Sequence, residues 1–412
     1  MKKWTKIVFV TIATVSLTAC GKKQESNTGQ TEIEFFSQKK EMKSTLEEII
    51  KDFEQENPTI KIKFTNVPDA GTVLKTRIAS GDVPDVVNSY PQNADFQEWA
   101  KADIFEDLTK ASYMSNLKEG AAETYAIDGK EYSVPLTSNA WGFFYNKPAF
   151  EKLKIEPPKT WAEFETLVKM IQDKNEIPFA ASLTTTDSWS LNGYHQLAWA
   201  TVDNGFIGAN KALVHSPKGG IKTGNKDFKA VVERLNLMRG TAQKNANGAT
   251  YDDAVATFAN QKALIFPQGI WALPAIQNQQ PDFEIGMFAF PGEKVGEELT
   301  VGAADLAVSI SNKSKNKEAA NTFVEYLTTK EAMQKYYDVD GAPTAIKSVE
   351  TKGKFPETEG VTQYVFTDKQ IVWLQKDWNS EEDFWHATVD YINSGNKTQL
   401  AKNLNSFFDT MK

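Results

Sequence analysis

The chain has 412 residues, one cysteine and a net charge of -8. A chain of this length usually exceeds what one hydrophobic core can serve, so we expect two lobes or domains. The acidic balance argues against nucleic acid as a partner, because a phosphate backbone attracts clustered Lys and Arg, and no such cluster follows the first few residues. The single cysteine, Cys20, excludes an intramolecular disulfide and any metal site built from several cysteines.

The first residues have the pattern of a secretory signal. Lysines at positions 2, 3 and 6 precede a short apolar stretch, Ile7 to Leu17, that is too short to cross a bilayer comfortably. The ending Leu17-Thr18-Ala19-Cys20 resembles the lipobox of bacterial lipoproteins. The resemblance implies that the signal peptide 1–19 is removed and that Cys20 carries lipid, which would hold a soluble body at the membrane. The alternative is an ordinary signal peptide followed by an unused thiol.

A polar segment follows the cysteine. Residues 20–31 contain no hydrophobic residue after Cys20 and are predicted to form a flexible tether. No later segment is long and apolar enough to span a bilayer. We therefore expect a lipid-anchored protein on the extracellular face of the cell membrane.

Strands and helices alternate at the start of the body. Apolar periodicity and helix-ending residues predict, in order, a strand Ile33–Phe36, a helix carrying Leu46 and Phe53 on one face, a strand Ile60–Phe64, a helix Leu74–Ala79 ended by Ser80-Gly81, and a strand Val83–Val87. Such a βαβαβ run predicts a mostly parallel sheet.

The same alternation continues downstream. Apolar runs predict strands at Tyr132–Leu136, Gly142–Tyr145, Ala263–Phe266 and Val301–Ile310. Helices are predicted after a capping box at Thr160–Glu163, from Ile270, around Ala320–Leu327, and at Leu400–Met411. There is no internal repeat and no long linker, so the two lobes are expected to be built from interleaved segments.

Several stretches resemble the extracellular solute-binding proteins of ABC-type sugar importers, and the maltose-binding and multiple-sugar-binding branch is the most similar. The stretches are SGDVPDVV (80–87), FFYNKPAFEKLKIEPPKTWAEF (143–164), ALIFPQGIWALPAI (263–276), VGAADLAVSISNKSKNKEAANTFVEYLTTKEAMQ (301–334) and FWHATVDYINSGNKTQLAKNLNSFFD (384–409). They cover the body nearly from end to end in the family's order. The pattern YNKxxF followed by PPKTWxEF is fairly specific, whereas any single stretch would be weak.

The resemblance implies a two-lobed α/β fold of the periplasmic-binding-protein type (type II), with the ligand in the cleft between the lobes. Lobe 1 would comprise residues 32–137 and 306–343, and lobe 2 residues 138–305 and 344–412. The lobes would close around the ligand by a hinge motion. The implied partners are an oligosaccharide, the permease subunits of an ABC importer and the membrane. The protein would be a monomer without a cofactor or metal.

A sugar presents apolar C–H faces and many hydroxyls, so its site is expected to combine aromatic rings with amides and carboxylates. Trp271 follows a predicted strand at a helix start, and the resemblance implies that it stacks on the sugar. Trp385 matches a ligand-contacting Trp of the family's tail, although Trp373 and Trp378 compete for the role. Trp189 is predicted on an exposed loop and aligns roughly with an aromatic residue of the family cleft. Each could instead be a core residue.

Polar candidates follow the first and third strands. Gln38 and Lys39 come after the first, and Gln92 and Asn93 come after the third, at the strand ends where α/β proteins bind ligands. The maltose-binding branch has charged residues near these places, and Gln92 and Asn93 stand where an acid and a base are expected. This departure argues against maltose. The resemblance to the multiple-sugar branch favours a raffinose-type α-galactoside or an isomaltose-type α-glucoside.

Two further polar residues are candidates, one before the strand Gly142–Tyr145 and one within the apolar run that begins at Val301. Asn139 lies near a position at which the family has a carboxylate, and its amide does not carry that charge. Asp305 is an acid within an apolar run, and a buried carboxylate needs partners. A pair of sugar hydroxyls would serve, and so would structural hydrogen bonds to backbone amides.

The alternatives to a binding protein are an enzyme and a surface adhesin. A secreted glycosidase needs two placed carboxylates, which 54 acidic residues could supply by chance. The sequence has no G-x-S-x-G elbow, no H-E-x-x-H and no Gly-rich phosphate loop. The histidines, His195, His215 and His386, are far apart. An adhesin would usually show repeats. A binder of a non-sugar solute also remains an alternative.

Overall fold

The computed structural model describes residues 29–351 and 353–412. The predicted signal peptide and Cys20 lie outside the described residues. The described chain forms ten strands: β1 Thr31–Phe36, β2 Ile60–Thr65, β3 Val86–Ser89, β4 Val134–Pro135, β5 Trp141–Asn146, β6 Ile265–Gly269, β7 Ile285–Phe288, β8 Thr300–Gly302, β9 Ala307–Ile310 and β10 Gln370–Val372.

The same residues form fifteen α-helices. Their bounds are α1 Lys43–Glu56, α2 Ala70–Ser80, α3 Ala94–Lys101, α4 Lys147–Leu153, α5 Trp161–Asp173, α6 Asn192–Val202, α7 Gly205–Ala212, α8 Lys226–Met238, α9 Tyr251–Ala259, α10 Leu273–Asn278, α11 Lys317–Leu327, α12 Lys330–Asp340, α13 Glu359–Thr362, α14 Glu382–Ser394 and α15 Lys397–Phe408. None of the described helices has the length and hydrophobicity needed to cross a membrane.

The first sheet has the order β2-β1-β3-β9-β4. Strand β1 pairs in parallel with β2 and β3, as the βαβαβ pattern predicts, but β9 runs antiparallel to both of its neighbours. The expectation of a mostly parallel sheet is therefore wrong for the half of the sheet that β3, β9 and β4 form. Because β9 comes from residues late in the chain, the early sequence carries no sign of its direction.

Two of the predicted strands in this sheet are shorter than expected. The third begins at Val86, not Val83. Pro84 has no N–H to donate, and the Asp85 carboxylate accepts hydrogen bonds from the Glu34 backbone N–H at 2.8 Å and the Ser314 hydroxyl at 2.6 Å. These residues therefore form a turn. In the fourth strand only Val134–Pro135 pairs with β9.

The second group of strands is antiparallel, in the order β6-β5-β7, and beside it β8 pairs in parallel with β10. The apolar run at 301–310 is not one strand, contrary to expectation. Its first part forms β8, its last part forms β9 in the other sheet, and residues 303–306 cross between them. Apolar composition cannot reveal such a break, because both strands are buried.

The capping box before α5 also forms differently from the prediction. Thr160 Oγ1 accepts a hydrogen bond from the Glu163 N–H at 3.3 Å, as expected. The Glu163 carboxylate, however, accepts from the N–H of Lys159, not that of Thr160. The helix still begins where the sequence predicts it.

The buried apolar residues divide into two regions, and the predicted two-lobed α/β fold is confirmed. One region draws on residues 33–136 and 306–346 and surrounds the first sheet, which we call the first lobe. The other draws on residues 140–303 and 342–408 and forms the second lobe. Ala345 and Ile346 pack in the first region. The detailed lobe bounds given above stay a prediction.

Candidate functional site

A buried ion pair joins the end of β1 to the segment that crosses between the lobes. Lys39 is 3% exposed, and its Nζ donates to Asp305 Oδ2 at 2.7 Å. The same ammonium lies 2.6 Å from Glu41 Oε1. Asp305 is held in place because its N–H donates to the Thr137 carbonyl in the neighbouring crossing segment. The structure therefore brings together two predicted site residues, Lys39 and Asp305, and adds Glu41.

The charges in this cluster stabilise one another. Burial alone would lower the pKa of Lys39, but Asp305 and Glu41 outweigh it and raise that pKa well above its usual value. Burial likewise opposes ionisation of Glu41, yet the Lys39 ammonium holds the pKa of Glu41 below its usual range. The Glu41 side chain is 40% exposed, so it presents a carboxylate at the rim of the cluster.

A third carboxylate stands beside this cluster. Asp340 is buried at the end of α12, and its Oδ2 has no hydrogen-bond partner among the described residues. Burial raises the pKa of Asp340 to about 7; Lys39 opposes the rise, and Asp305 and Glu41 add to it. The fully buried Tyr336, one turn earlier in α12, is raised in pKa by burial and then by Asp340.

Sequence reasoning missed Asp340 for an identifiable reason. The predicted helices do not include this region, whereas the structure continues α12 through Asp340 and ends it at Gly341, with φ +67°. A glycine that closes a helix in the left-handed region is a usual ending, so the sequence did contain a signal for this arrangement. Nothing in it identified Glu41.

Two amide side chains hold the crossing segment. Asn139 Oδ1 accepts from the Ala303 N–H at 2.9 Å, and its Nδ2 lies 3.4 Å from Asp305 Oδ1. Gln92 Nε2 donates to the Ala304 carbonyl at 3.2 Å. The Oε1 of Gln92 is buried and has no partner in the described part of the chain. Asn139 and Gln92 thus lie with Asp305 at one place, and Gln92 retains an unused acceptor.

The remaining polar candidates lie at the edge of this place. The Gln38 side chain bonds to β3, since Nε2 donates to the Asn88 carbonyl at 2.9 Å. Asn93 precedes α3, and among the described residues its half-buried side chain makes no capping bond to that helix. Gln38 therefore has a structural bond that the sequence did not predict, and Asn93 has more freedom.

Trp271 lies where the second sheet ends. β6 finishes at Gly269, and a short 3₁₀ helix, Ile270–Ala272, carries the half-buried Trp271 ring against both core clusters of the second lobe. The ring folds back over Gly269, where an added Cβ would overlap it. A glycine is therefore required at this point for the ring to take its position.

Trp189 differs from its prediction. It lies in a 3₁₀ helix, Ser188–Leu191, and is half-buried rather than exposed on a loop. Its ring packs on Tyr251, with centroids 5.1 Å apart. Burial raises the pKa of Tyr251, followed in size by the effects of Asp252 and Glu41. The Trp189–Tyr251 pair is therefore a packed aromatic contact of the second lobe that leaves part of the Trp189 ring exposed.

The structure separates Trp385 from its two competitors. Trp373 and Trp378 are 7% and 2% exposed, and Trp378 Nε1 donates to Asn210 Oδ1 at 2.9 Å. Both are core residues of the second lobe. Trp385, in the first turn of α14, is half-buried, and its Nε1 has no partner among the described residues. Of the three, Trp385 alone has a partly exposed ring, and its buried Nε1 is unpartnered within the described residues.

The possible metal ligands and the most deeply buried histidine were located in the described part of the chain. Within residues 29–351 and 353–412, no group of three or more His, Cys, Asp or Glu is arranged to hold a metal ion. His195 is fully buried, stacks on Phe384 and bonds to Thr388 and Trp199. Burial lowers its pKa to about 3, so it is neutral at physiological pH.

The sequence and fold match one established family. The model of the bacterial extracellular solute-binding proteins matches residues 37–334. The chain belongs to this family. The predicted resemblance is therefore confirmed, and so is the class of protein: an extracellular solute-binding protein.

Individual relatives sharpen the comparison. The chain is 52% identical over 418 aligned residues to the multiple sugar-binding protein of Streptococcus mutans, covering 100% of this chain and 99% of that protein. The solved structure of RafE in complex with raffinose is 50% identical, with a TM-score of 0.89 over 93% of this chain and 100% of that one. The apo form of RafE from Streptococcus pneumoniae gives a TM-score of 0.87. A chitin oligosaccharide binding protein, at 21% identity and a TM-score of 0.75, shares the fold.

Proposed function

We propose that this protein captures an extracellular oligosaccharide and delivers it to the permease of an ABC importer. The proposed ligand is a raffinose-type α-galactoside, with an isomaltose-type α-glucoside as the second choice. The observation that carries this proposal is the 50% identity and full coverage of RafE, whose structure contains raffinose. With half of the residues identical over 93% of this chain, we expect the side chains that line the ligand site, and with them the ligand class, to be largely kept.

The chemistry of the candidate site supports a polar, ring-shaped ligand. Trp271, Trp385 and Trp189 would supply flat apolar faces, and Asp305, Asn139, Gln92, Asn93, Gln38 and Lys39 would surround the hydroxyls. The buried polar atoms that lack partners among the described residues include Gln92 Oε1, Asp340 Oδ2 and Trp385 Nε1. Leaving such an atom unpaired costs about 1–3 kcal/mol, which a sugar hydroxyl would recover.

The delivery step needs a protein held near the membrane. We propose that the signal peptide 1–19 is removed, that Cys20 is acylated and that residues 20–31 tether two lobes, 32–137 with 306–343 and 138–305 with 344–412. A flexible tether would let a monomer capture sugar and still reach the importer. Globomycin-type inhibition of lipoprotein processing, followed by fractionation, would test the anchor: an acylated protein stays with the membrane, and an unprocessed signal accumulates.

The binding step can be tested by thermal unfolding with a panel of saccharides. Raffinose is expected to raise the melting temperature by mass action, isomaltotriose to do so less, and maltotriose to have little effect. A ligand at about 100 times its Kd stabilises the folded state by about 2.7 kcal/mol. Chromatography of the same samples should show intact sugars.

Each other outcome points to a different class of protein. Release of galactose or glucose would favour a glycosidase and count against a pure binder. An unchanged melting temperature with every saccharide would defeat the proposal and favour a non-sugar solute. A shift with maltotriose alone would refute the ligand class while leaving the binding role intact.

A further inference from the structure

Two hydrogen bonds join the lobes through residues that are not among the candidate site residues. Gln97 in α3 donates from Nε2 to the Lys376 carbonyl at 3.0 Å, and Lys376 Nζ donates to the Thr124 carbonyl at 2.8 Å. Gln97 and Thr124 belong to the predicted first lobe, whereas Lys376 belongs to the second. We call these two hydrogen bonds the interlobe latch.

On the first-lobe side, the packing of α3 fixes the position of Gln97. The preceding residue, Phe96, is buried in the core of that lobe and stacks on Phe105, with ring centroids 5.2 Å apart. Gln97 itself is half-buried, and its N–H donates to the Asn93 carbonyl at 3.2 Å. Because α3 is held by its buried face, the Gln97 amide can reach Lys376 only while the second lobe is close.

On the second-lobe side, the acceptor is also fixed. Lys376 lies in a 3₁₀ helix, Leu374–Asp377. The Leu374 N–H donates to Gln196 Oε1 at 2.6 Å, and the Leu374 carbonyl accepts from Asn210 Nδ2 at 3.1 Å. Gln196 and Asn210 are buried in α6 and α7. The Lys376 carbonyl is therefore presented to the first lobe by a turn that the core of the second lobe holds in place.

The segment that carries Thr124 makes a further contact across the lobes. The Tyr125 ring packs against the core of the second lobe, although Tyr125 belongs by sequence to the predicted first lobe. Its hydroxyl accepts a hydrogen bond from the Ala304 N–H at 2.7 Å. The Thr124 carbonyl is therefore held close to the second lobe, where Lys376 Nζ can reach it.

We propose that the interlobe latch stabilises the closed form of the protein and thereby slows release of the bound sugar. Each of its hydrogen bonds has its donor in one lobe and its acceptor in the other, so both form on closure and break on opening. Gln97 is a positioning residue, because it changes the affinity through the closed conformation and not through contact with the ligand. This inference rests on the proposed function, since it needs a ligand that closes the cleft.

Gln97→Met tests the first hydrogen bond, because methionine is similar in length to glutamine and has no donor. Calorimetry with raffinose is expected to show a rise in Kd of about fivefold, since the closed form loses one hydrogen bond. Stopped-flow fluorescence should place this change in koff and leave kon nearly unchanged, because the sugar enters the open form, in which the latch is absent.

Lys376→Met tests the second hydrogen bond and leaves the Lys376 carbonyl in place. This bond is exposed to solvent, so we expect a smaller rise in Kd, of about twofold. The double variant with Gln97→Met should combine the two losses. Small-angle X-ray scattering without sugar should then give a larger radius of gyration for the double variant than for the unmodified protein, because its lobes separate more readily.

Gln399→Met is the matched control for Gln97→Met. Gln399 is also a helix residue, and its Nε2 donates to Asn403 Oδ1 at 2.6 Å, but both residues lie in α15. The control should keep the raffinose affinity and the koff of the unmodified protein. A Gln97 with a merely structural role would lower the melting temperature of the sugar-free protein and leave koff unchanged.

The outcomes separate this inference from the proposed function. If raffinose binds the unmodified protein and Gln97→Met with the same Kd and koff, the latch is refuted and the proposed function stands. If raffinose fails to bind the unmodified protein, the proposed ligand is wrong and the scattering comparison decides the latch. Equal radii of gyration for the double variant and the unmodified protein would then refute it, and a larger radius for the variant would support it.

Discussion

Lys39 and Asp305 are 266 residues apart in the chain, yet their charged atoms are 2.7 Å apart in a buried ion pair. The pair fixes the end of the first strand to the segment that carries the chain from one lobe to the other. It therefore ties the candidate site to the segment that crosses between the two sheets. Such an ion pair stabilises the fold only while both partners are present, because a lone buried charge is strongly unfavourable.

Replacing Lys39 by methionine should destabilise the protein by about 3–5 kcal/mol, because Asp305 is left buried and unpaired. Adding Asp305→Leu in the same chain should recover most of the loss, since both charges are then absent. Urea unfolding at neutral pH measures both effects. Lys40→Met, at an exposed neighbouring position, should change little. Equal stability of Lys39→Met and Lys40→Met would contradict the assignment.

Asp340 should make the stability depend on pH. Burial raises its pKa to about 7, so its contribution to stability is complete below its ordinary value of 3.8 and is lost as the pH rises through 7. Asp340→Asn should therefore gain stability relative to the unmodified protein between pH 5 and pH 8, by about 2 kcal/mol. Urea unfolding at the two pH values provides the comparison.

The control for this experiment lies on the same helix. Asp338 is exposed and bonds to Lys354. Burial tends to raise the pKa of Asp338, but the hydrogen bonds from Lys354 and Gln334 outweigh it and lower that pKa. Asp338→Asn should therefore not show the gain at pH 8. The assignment fails if both substitutions give the same change.

Trp271→Ala should weaken raffinose binding without unfolding the protein. A stacked tryptophan at the centre of a site commonly contributes about 2 kcal/mol, which corresponds to ~30-fold in Kd. Calorimetry measures the affinity and thermal unfolding measures the stability. Trp99→Ala is the matched control, because Trp99 is also half-buried but packs on Phe105 in the first lobe. An unchanged affinity in Trp271→Ala would remove this residue from the site.

Gly269→Ala tests the position of the same ring by another route. A Cβ at Gly269 would overlap the Trp271 ring, so the ring must move although its chemistry is intact. We expect weaker raffinose binding, by about tenfold, together with a changed tryptophan fluorescence spectrum. Gly248→Ala has no atom closer than 3.9 Å to the added carbon and serves as the control. Full affinity in Gly269→Ala would mean that the ring position does not matter for binding.

Trp385→Phe tests the unpartnered indole N–H. Phenylalanine keeps an aromatic ring but has no donor, so a hydrogen bond to a sugar hydroxyl would be lost at a cost of about 1 kcal/mol, or ~5-fold in Kd. Calorimetry with raffinose gives the change. Trp378→Phe loses a hydrogen bond to Asn210 in the core and should instead lower the melting temperature with little effect on affinity. If Trp378→Phe weakened binding and Trp385→Phe lowered only the melting temperature, Trp378 would be the ligand contact and Trp385 the core residue.

Much of the fold followed from local patterns, because helix faces and strand ends depend on neighbours in sequence. Helix α1 and the end of α2 at Gly81 appear where the periodicity places them. The break at residues 303–306 did not follow, because an apolar run has no feature that distinguishes one buried strand from two in different sheets. Tertiary packing determines whether such a run forms one strand or two.

The candidate site was predictable in part for a related reason. Residues at the carboxyl ends of strands converge, so Lys39 and Gln92 could be placed near one another from the strand pattern alone. Glu41 and Asp340 were not predicted, because their places in the cluster depend on the conformation of the Lys39 side chain and on the packing of α12 in the folded chain. The pairing of Lys39 with Asp305 could not be deduced from one sequence, since no spacing rule connects residues so far apart.

The place of β9 in the first sheet has a consequence for how the protein is made. This strand lies between β3 and β4 but is encoded after residue 306. While the chain is being synthesised, the sheet has a missing interior member until that late stretch emerges, and its early strands cannot complete their hydrogen bonding. The order of the strands in space therefore makes completion of this sheet one of the later events in the folding of the chain.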